Sequence, residues 1–399
     1  MSLNNTPSGE RIHIGFFGMR NAGKSSVVNA VTGQELSVVS DVKGTTTDPV
    51  KKAMELLPIG PVVIIDTPGM DDEGDLGELR VQKARRMLAE TAIAVLVVDG
   101  TVGLSDGDRM LLDLFKEKKL PYVIAYNKSD LDGFTASDDG IAVSAATGRG
   151  ITELKEKIGS FAKKMQNDKK IVSDLLEPGD FVVLVIPIDD AAPKGRLILP
   201  QQQTLRDVLD AHCTVVCCQD TELKETLASL AKKPKLVITD SQAFGRVSKD
   251  TPDDILLTSF SILFARYKGD LAELVRGAAM LSKIQAGDRV LISEGCTHHR
   301  QCGDIGTVKM PAWIEKFTGV KPEYTFTSGG EFPEDLSEYK VCVHCGGCML
   351  NEQEMGWRIT HAKESGTPIV NYGIAIAQMH GILRRSLEPF PEILALLEE

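Results

Sequence analysis

Three groups of residues in this chain have the types and spacing to do chemistry. The first is Gly18-Met-Arg-Asn-Ala-Gly-Lys-Ser25. Glycines at this spacing let backbone N–H groups surround phosphates at a helix start, while Lys24 neutralises β/γ oxygens and the Ser25 hydroxyl ligates magnesium. Gly18, Asn21, Ala22, Gly23, Lys24, Ser25 and Ser26 are therefore the expected phosphate-binding set. The second group, Asp66-Thr-Pro-Gly69, ends an apolar run. That position suits Asp66 to a water-mediated magnesium contact and the Gly69 N–H to a γ-phosphate.

The third group is sulfur: Cys296-Thr-His298 and, after a long interval, His344-Cys345-Gly-Gly-Cys348. A Cys-x-x-Cys brings two thiolates around one metal, and the intervening glycines let the turn wrap with N–H groups free for sulfides. Cys296 adds a third soft ligand. Three cysteines and a variable fourth position suit a 4Fe-4S cluster with one exchangeable iron. A structural zinc would fill all four positions, with His298 or His344 as the fourth. Either histidine could be the fourth iron ligand or could instead orient a ligand or donate to a sulfide, and Glu294 is another possible oxygen donor near Cys296. Buried thiol is the default for Cys213, Cys217, Cys218, Cys302 and Cys342. His299 and Arg300 read as a solvated positive patch.

Asn127-Lys-Ser-Asp130 closely resembles the guanine-reading motif of Ras-like GTPases. That resemblance implies that Asp130 accepts hydrogen bonds from guanine N1 and the 2-amino group, that Asn127 and Lys128 support the pocket, and that GTP is chosen over ATP. Ser144-Ala-Ala146 resembles the last motif of the class, with the backbone at Ser144 and Ala145 meeting guanine O6. Gly44-Thr-Thr-Thr-Asp48 resembles the switch of the TrmE-Era-like GTPases, which makes Thr46 the threonine that closes over magnesium and the γ-phosphate. Lys24, Thr46 and Gly69 are then the catalytic set. Met70 stands where Ras-like enzymes place a water-orienting glutamine, and a thioether cannot do that work, so slow hydrolysis is expected. Asn21 matches the asparagine that holds potassium in the potassium-activated members, and such a cation can replace the charge of an arginine finger.

The elements that must position these groups follow an α/β rhythm. Apolar runs at 12–17, 62–65, 93–98 and 122–126 alternate with helix-like segments, the pattern of a parallel sheet with crossover helices. A helix from Thr152 precedes a polar, Lys-rich stretch, 162–170, that reads as a linker. A second block has strand-like runs at 181–186, 215–218, 236–238 and 255–257, and a third at 289–292, 341–343 and 369–371. The fold expected is α/β, an N-terminal Ras-like P-loop GTPase domain (1–168) followed by two smaller α/β domains (172–266 and 270–399). Both cysteine motifs follow strands of the third block directly, and ligands in open α/β sheets bind beyond strand carboxyl ends, so both could face one site.

Acids outnumber bases, 56 against 45, which argues against a general nucleic-acid or lipid-surface role. No signal peptide or membrane span is read in the sequence, so the expected location is cytoplasmic. There thiols stay reduced, and the eight cysteines, none before Cys213, read as ligands or core residues.

Taken together, a TrmE-Era-like GTPase, a middle α/β domain and Cys-x-His followed by His-Cys-x-x-Cys resemble HydF, the FeFe-hydrogenase maturation GTPase family, over essentially the whole chain. The resemblance implies a dimer formed through the middle domain and a 4Fe-4S cluster on Cys296, Cys345 and Cys348. It implies a scaffold that works with the radical-SAM maturases HydE and HydG and delivers a di-iron subcluster to apo FeFe-hydrogenase. The competing readings are a TrmE-Era-like RNA-modification GTPase and a regulatory GTPase with a structural zinc.

Overall fold

The computed structural model describes residues 6–34, 50–67, 77–135, 137, 139–165, 169–188, 197–295 and 304–397. The chain divides into two compact units, Met1–Asp168 and Lys169–Glu399.

In the first unit the strands are β1 (Ile12–Phe17), β2 (Val50–Leu56), β3 (Gly60–Asp66), β4 (Ile93–Asp99), β5 (Tyr122–Asn127) and β6 (Ile141–Ala142), in the order β2-β3-β1-β4-β5-β6. All pairs are parallel except β2 with β3. The period of two along a strand sends alternate residues to opposite faces. Phe16, Val95 and Val97 join Val27, Val31, Leu154 and Ile158 in one core, whereas Phe17, Leu96 and Val98 join Leu88, Leu111 and Phe115 in the other. Because both faces are covered, β4 is apolar along nearly its whole length, as a parallel strand must be. The helix Asp106–Glu117 starts in a capping box: Asp108 N–H bonds Ser105 Oγ at 3.2 Å and Ser105 N–H bonds the Asp108 carboxylate at 3.1 Å.

The second unit holds two four-stranded sheets. The first contains β7 (Phe181–Val185), β8 (Thr214–Cys218), β9 (Leu236–Thr239) and β10 (Leu256–Ser259), ordered β10-β9-β7-β8. The second contains β11 (Arg289–Glu294), β12 (Glu323–Ser328), β13 (Val341–His344) and β14 (Ile369–Asn371), ordered β12-β11-β13-β14. Every pair in both sheets is parallel. One apolar core runs through both, joining Leu184 and Ile238 to Val290 and Val343 by way of Ile262, Leu263, Leu274 and Val275.

Two expectations change here. The stretch 162–170 is not all linker: the helix Ile151–Met165 reaches into it, with Ala162 packed into the core at 2% exposure. Lysines on the outer face of a helix had the composition of a loop. Three strands lay outside the sequence reading: β2, the two-residue β6 and β12. In β2, Val50-Lys-Lys-Ala-Met-Glu-Leu56, only Leu56 is buried, and β12 is a half-exposed strand at the edge of its sheet. Edge strands lack the apolar runs that mark buried ones.

The helix Leu271–Ala279 lies close against β14, and Gly277 is the point of contact. A Cβ there would sit 1.9 Å from the Ile369 carbonyl oxygen. Alanine would gain up to about 1 kcal/mol in helix propensity. Overpacking against backbone that cannot step aside costs about 1–3 kcal/mol and should prevail. Gly277→Ala is expected to lower the urea midpoint of the second unit. The two tryptophans, Trp313 and Trp357, both lie in that unit and report its unfolding by fluorescence.

Candidate functional site

β1 is hydrogen-bonded to β3 on one side and β4 on the other, so the loop at its carboxyl end opens where the sheet order reverses. Such a switch point leaves a crevice for a ligand. The phosphate loop fills it. Gly18 is seated against β4, where a Cβ would meet the Val97 carbonyl oxygen at 2.3 Å. Gly23 has φ 80°, and a Cβ there would lie 2.2 Å from Asn127 Nδ2. Asn21 is exposed and left-handed, φ 63°. Helix Lys24–Thr32 begins without a side-chain cap, so the N–H groups of its first turn, which includes Ser25 and Ser26, suit an anion.

Lys24 Nζ lies 3.0 Å from Asp66 Oδ1, and the Ser25 hydroxyl donates to Asp66 Oδ2 at 3.1 Å. Ser25 and Asp66 thus offer neighbouring hard oxygens of the kind magnesium takes, with the buried Lys24 cation beside them. Thr67 ties the strand end of Asp66 to β1, its hydroxyl donating to the Phe16 carbonyl at 2.6 Å.

On the guanine side, Asn127 joins two loops. Its Nδ2 donates to the Ala22 carbonyl at 3.0 Å, and its Oδ1 accepts from the Ala145 N–H at 3.1 Å. Lys128 is left-handed, φ 68°, and pairs with Asp99 at the end of β4. Burial alone would raise the Asp99 carboxyl, but hydrogen bonds from Lys128 and Thr101 outweigh it and hold it below its ordinary value. Asp130 is exposed at the rim, and Ser144 is fully buried beneath Ala145. Asp99 and Thr67 were missed by sequence reasoning; a carboxylate at the end of an apolar strand was the available signal for Asp99. Thr46, Gly69 and Met70 lie outside the described residues.

Gly295 and the Cys345–Cys348 turn lie at the switch point of the sheet that holds β11 to β14. β11 pairs with β12 on one side and β13 on the other, with Ser293 opposite His344. The Cys345 N–H donates to the Ser293 carbonyl at 2.9 Å. The Gly295 N–H donates to Cys345 Sγ at 3.1 Å, so the residue preceding Cys296 touches the second cysteine. A further N–H, from Gly347, approaches the same sulfur at 3.4 Å, in a turn where Gly347 adopts φ 62°. Cys345 and Cys348 are half-buried. Burial pushes the Cys348 thiol up, so a bound metal would have to supply the charge that keeps it as thiolate. Among the described residues no three His, Cys, Asp or Glu side chains converge as a ligand set. Cys296 and His298 lie outside those residues, as do Cys302, His299 and Arg300. Two thiols on one turn, with the Gly295 and Gly347 N–H groups directed at the Cys345 sulfur, fit an iron–sulfur cluster in donor chemistry.

Cys342 is fully buried on β13, its thiol pushed up to about 12 by burial, and Cys213 is also buried. Cys217 is exposed and Cys218 half-buried. Glu294 accepts from the Tyr372 hydroxyl at 3.3 Å. His344 is fully buried, and both ring nitrogens are engaged: Nδ1 with the Cys345 carbonyl at 2.7 Å and Nε2 with Arg358 Nη1 at 2.9 Å. Arg358, 1% exposed, also donates to Glu354 at 2.6 Å and to the Gly329 carbonyl at 2.7 Å, and it lies over the Phe332 ring. Sequence reasoning missed this arginine, which sits on a helix with no motif around it.

The topology of the first unit, with a phosphate loop at the switch point and the Asn127 and Asp130 loop beside it, defines a P-loop GTPase domain. The profile described as 50S ribosome-binding GTPase matches residues 13–128. Those described as hydrogen maturase F dimerization domain and hydrogen maturase F tetramerization domain match residues 171–269 and 272–389. The chain belongs to the hydrogen maturase F family of hydrogenase-maturation GTPases, and carries the oligomerization domains of that family. Among curated proteins, the tRNA modification GTPase MnmE of Neisseria gonorrhoeae is 35% identical over 156 residues, covering 37% of this chain and 34% of the relative. That of Desulforamulus reducens is 39% identical over 115 residues, 29% of this chain and 24% of the relative. The chain thus spans only about a third or less of the length of these relatives. Solved structures of a probable GTP-binding protein engB (23% identity, TM-score 0.30) and the G domain of the T. maritima FeoB iron transporter (22%, 0.31) are also similar, each covering 38% of this chain and 99% of its own. Among the described residues no helix is long and apolar enough to cross a membrane.

Asn127→Ala is expected to weaken GTP and GDP binding in parallel. It removes both bonds that join the phosphate loop to the Ala145 loop and strands their partners, at about 1–3 kcal/mol, or roughly 10–100-fold in Kd. Titration with fluorescent GDP and GTP analogues measures this, and a loss confined to GTP would place the effect at the γ-phosphate instead.

Proposed function

We propose that this chain is a GTP-hydrolysing scaffold that binds a 4Fe-4S cluster on Cys296, Cys345 and Cys348 and assembles or delivers the di-iron subcluster to apo FeFe-hydrogenase. Its partners in that reading are the radical-SAM maturases HydE and HydG. The nucleotide domain (1–168), a dimerisation domain (172–266) and a cluster domain (270–399) divide the work. The working form is a homodimer in the cytoplasm, where the ligand thiols stay reduced. The observation that carries the reading is the Gly295 N–H bond to Cys345 Sγ, which sets the residue before Cys296 against the Cys345 turn at the carboxyl ends of adjacent parallel strands. Family membership supplies the hydrogenase context.

At the nucleotide site, Ser25 and Asp66 would hold magnesium, with Thr46 and the Gly69 N–H completing the γ-phosphate contacts. Lys24 would leave its contact with Asp66 for the phosphate oxygens. Asn21, exposed on the left-handed turn of the loop, is placed in this reading as the potassium ligand that offsets the missing glutamine at Met70. A fixed positive charge there lowers the barrier to phosphoryl transfer.

Anaerobic incubation with iron and sulfide should give a brown chain with cluster absorption, lost in Cys296→Ser, Cys345→Ser and Cys348→Ser. Stoichiometric zinc in place of iron would overturn the cluster reading and favour a structural site. GTP turnover should be faster in potassium than in sodium; equal rates would remove the role given to Asn21. Lys24→Ala should abolish turnover while leaving cluster uptake unchanged, and loss of the cluster in that variant would show that the two sites do not load independently.

A further inference from the structure

The His344 ring lies directly beside Cys345, yet its two nitrogens are already committed. A guanidinium only donates, so Arg358 Nη1 at 2.9 Å requires His344 Nε2 to accept. The proton must then sit on Nδ1, which donates to the Cys345 carbonyl at 2.7 Å. The tautomer is set by the arginine. Arg358 is itself fixed by Glu354, the Gly329 carbonyl and the Phe332 ring. Its Nε has no hydrogen-bond partner, so withdrawing His344 would leave a second N–H of a buried cation short of an acceptor. A second cation meets the same turn further on. Lys268, at the end of the helix Phe260–Lys268 and 5% exposed, donates to the carbonyls of Cys348 at 3.3 Å and Leu350 at 3.2 Å.

We propose that His344 is a positioning residue and not an iron ligand, and that Arg358 through His344, with Lys268, braces the Cys345–Leu350 backbone so that both sulfurs are presented to the cluster. The inference rests on the iron–sulfur reading above. Three backbone carbonyls of one turn are held by buried donors, while the turn's N–H groups at Gly347 and at neighbouring Gly295 are directed to Cys345 Sγ. Carbonyls are drawn one way and N–H groups face the sulfur. That polarity favours an anionic thiolate and resists rotation of the turn.

The test uses the full chain, reconstituted anaerobically, with iron content, loss of cluster absorption to a chelator, and electron paramagnetic resonance of the reduced cluster as readouts. Far-UV circular dichroism and GTP turnover check the fold, and Arg358 and Lys268 belong to neither nucleotide contact. His344→Leu and Arg358→Met should each lose the cluster to chelator roughly 10–100-fold faster than wild type, the usual effect of removing an outer-shell partner. His344→Asn retains an N–H donor where Nδ1 stands and lacks Nε2. With the Cys345 carbonyl still held but Arg358 short of its acceptor, its cluster lifetime should fall between those of wild type and His344→Leu, with the resonance spectrum unchanged. Should Arg358→Met unfold, the comparison of His344→Asn with His344→Leu decides alone. Histidine nitrogen coupling in the wild-type spectrum that disappears in His344→Asn would overturn the proposal by making His344 a ligand. Equal lifetimes in wild type and all folded variants would overturn the brace. A wild-type chain that takes up no iron sinks the iron–sulfur reading, and the inference with it.

Discussion

Parallel hydrogen bonding between β11 and β13 sets Ser293 opposite His344, and the cysteine site hangs on that register. A slip by one residue would send His344 and Cys342, which share a face, to the opposite face and bring Val343 into their place, because side chains alternate along a strand. With the register as it is, Gly295 and Cys345 leave their strands side by side and the N–H of one reaches the sulfur of the other. The buried flanks, Ile292, Val341 and Val343, make the register costly to change.

The same constraint builds the nucleotide site in the other unit. β1 lies between β3 and β4, so the phosphate loop emerges where the connections diverge. Asp66 arrives on the neighbouring parallel strand, and Asn127 on β5, two strands along. Three sequence-distant motifs are brought together by strand direction alone, since parallel strands end on one edge. Close approach does the rest: Gly18 and Gly23 are where another backbone or Asn127 comes too near for a side chain.

Buried polar side chains link the loops in both sites. Asn127 donates one bond to the phosphate loop and accepts one from the Ala145 loop, and His344 passes the hold of Arg358 to Cys345. Each is costly to disturb because its partners have no water to turn to. The Arg358 and Glu354 pair illustrates how a buried charge is tolerated: opposite charge, carbonyl and aromatic face all meet one guanidinium.

Much of this was legible in the chain itself. The phosphate loop, Asp66 and the Asn127 loop are local words whose chemistry depends on short spacing, and buried parallel strands such as β4 announce themselves as apolar runs. The Cys-x-x-Cys turn is equally local. What remained hidden were features that only neighbours create. β2 and β12 lie at sheet edges and carry mixed residues, and the end of the helix Ile151–Met165 had the composition of a linker. Arg358, fourteen residues beyond His344, is an ordinary helical arginine until packing against Phe332 and β13 buries it. Sequence alone determined which groups could bind phosphate, guanine and a soft metal. Only the tertiary structure decided what the histidine beside Cys345 does, because its two nitrogens are claimed by a carbonyl and a guanidinium that folding brings to it.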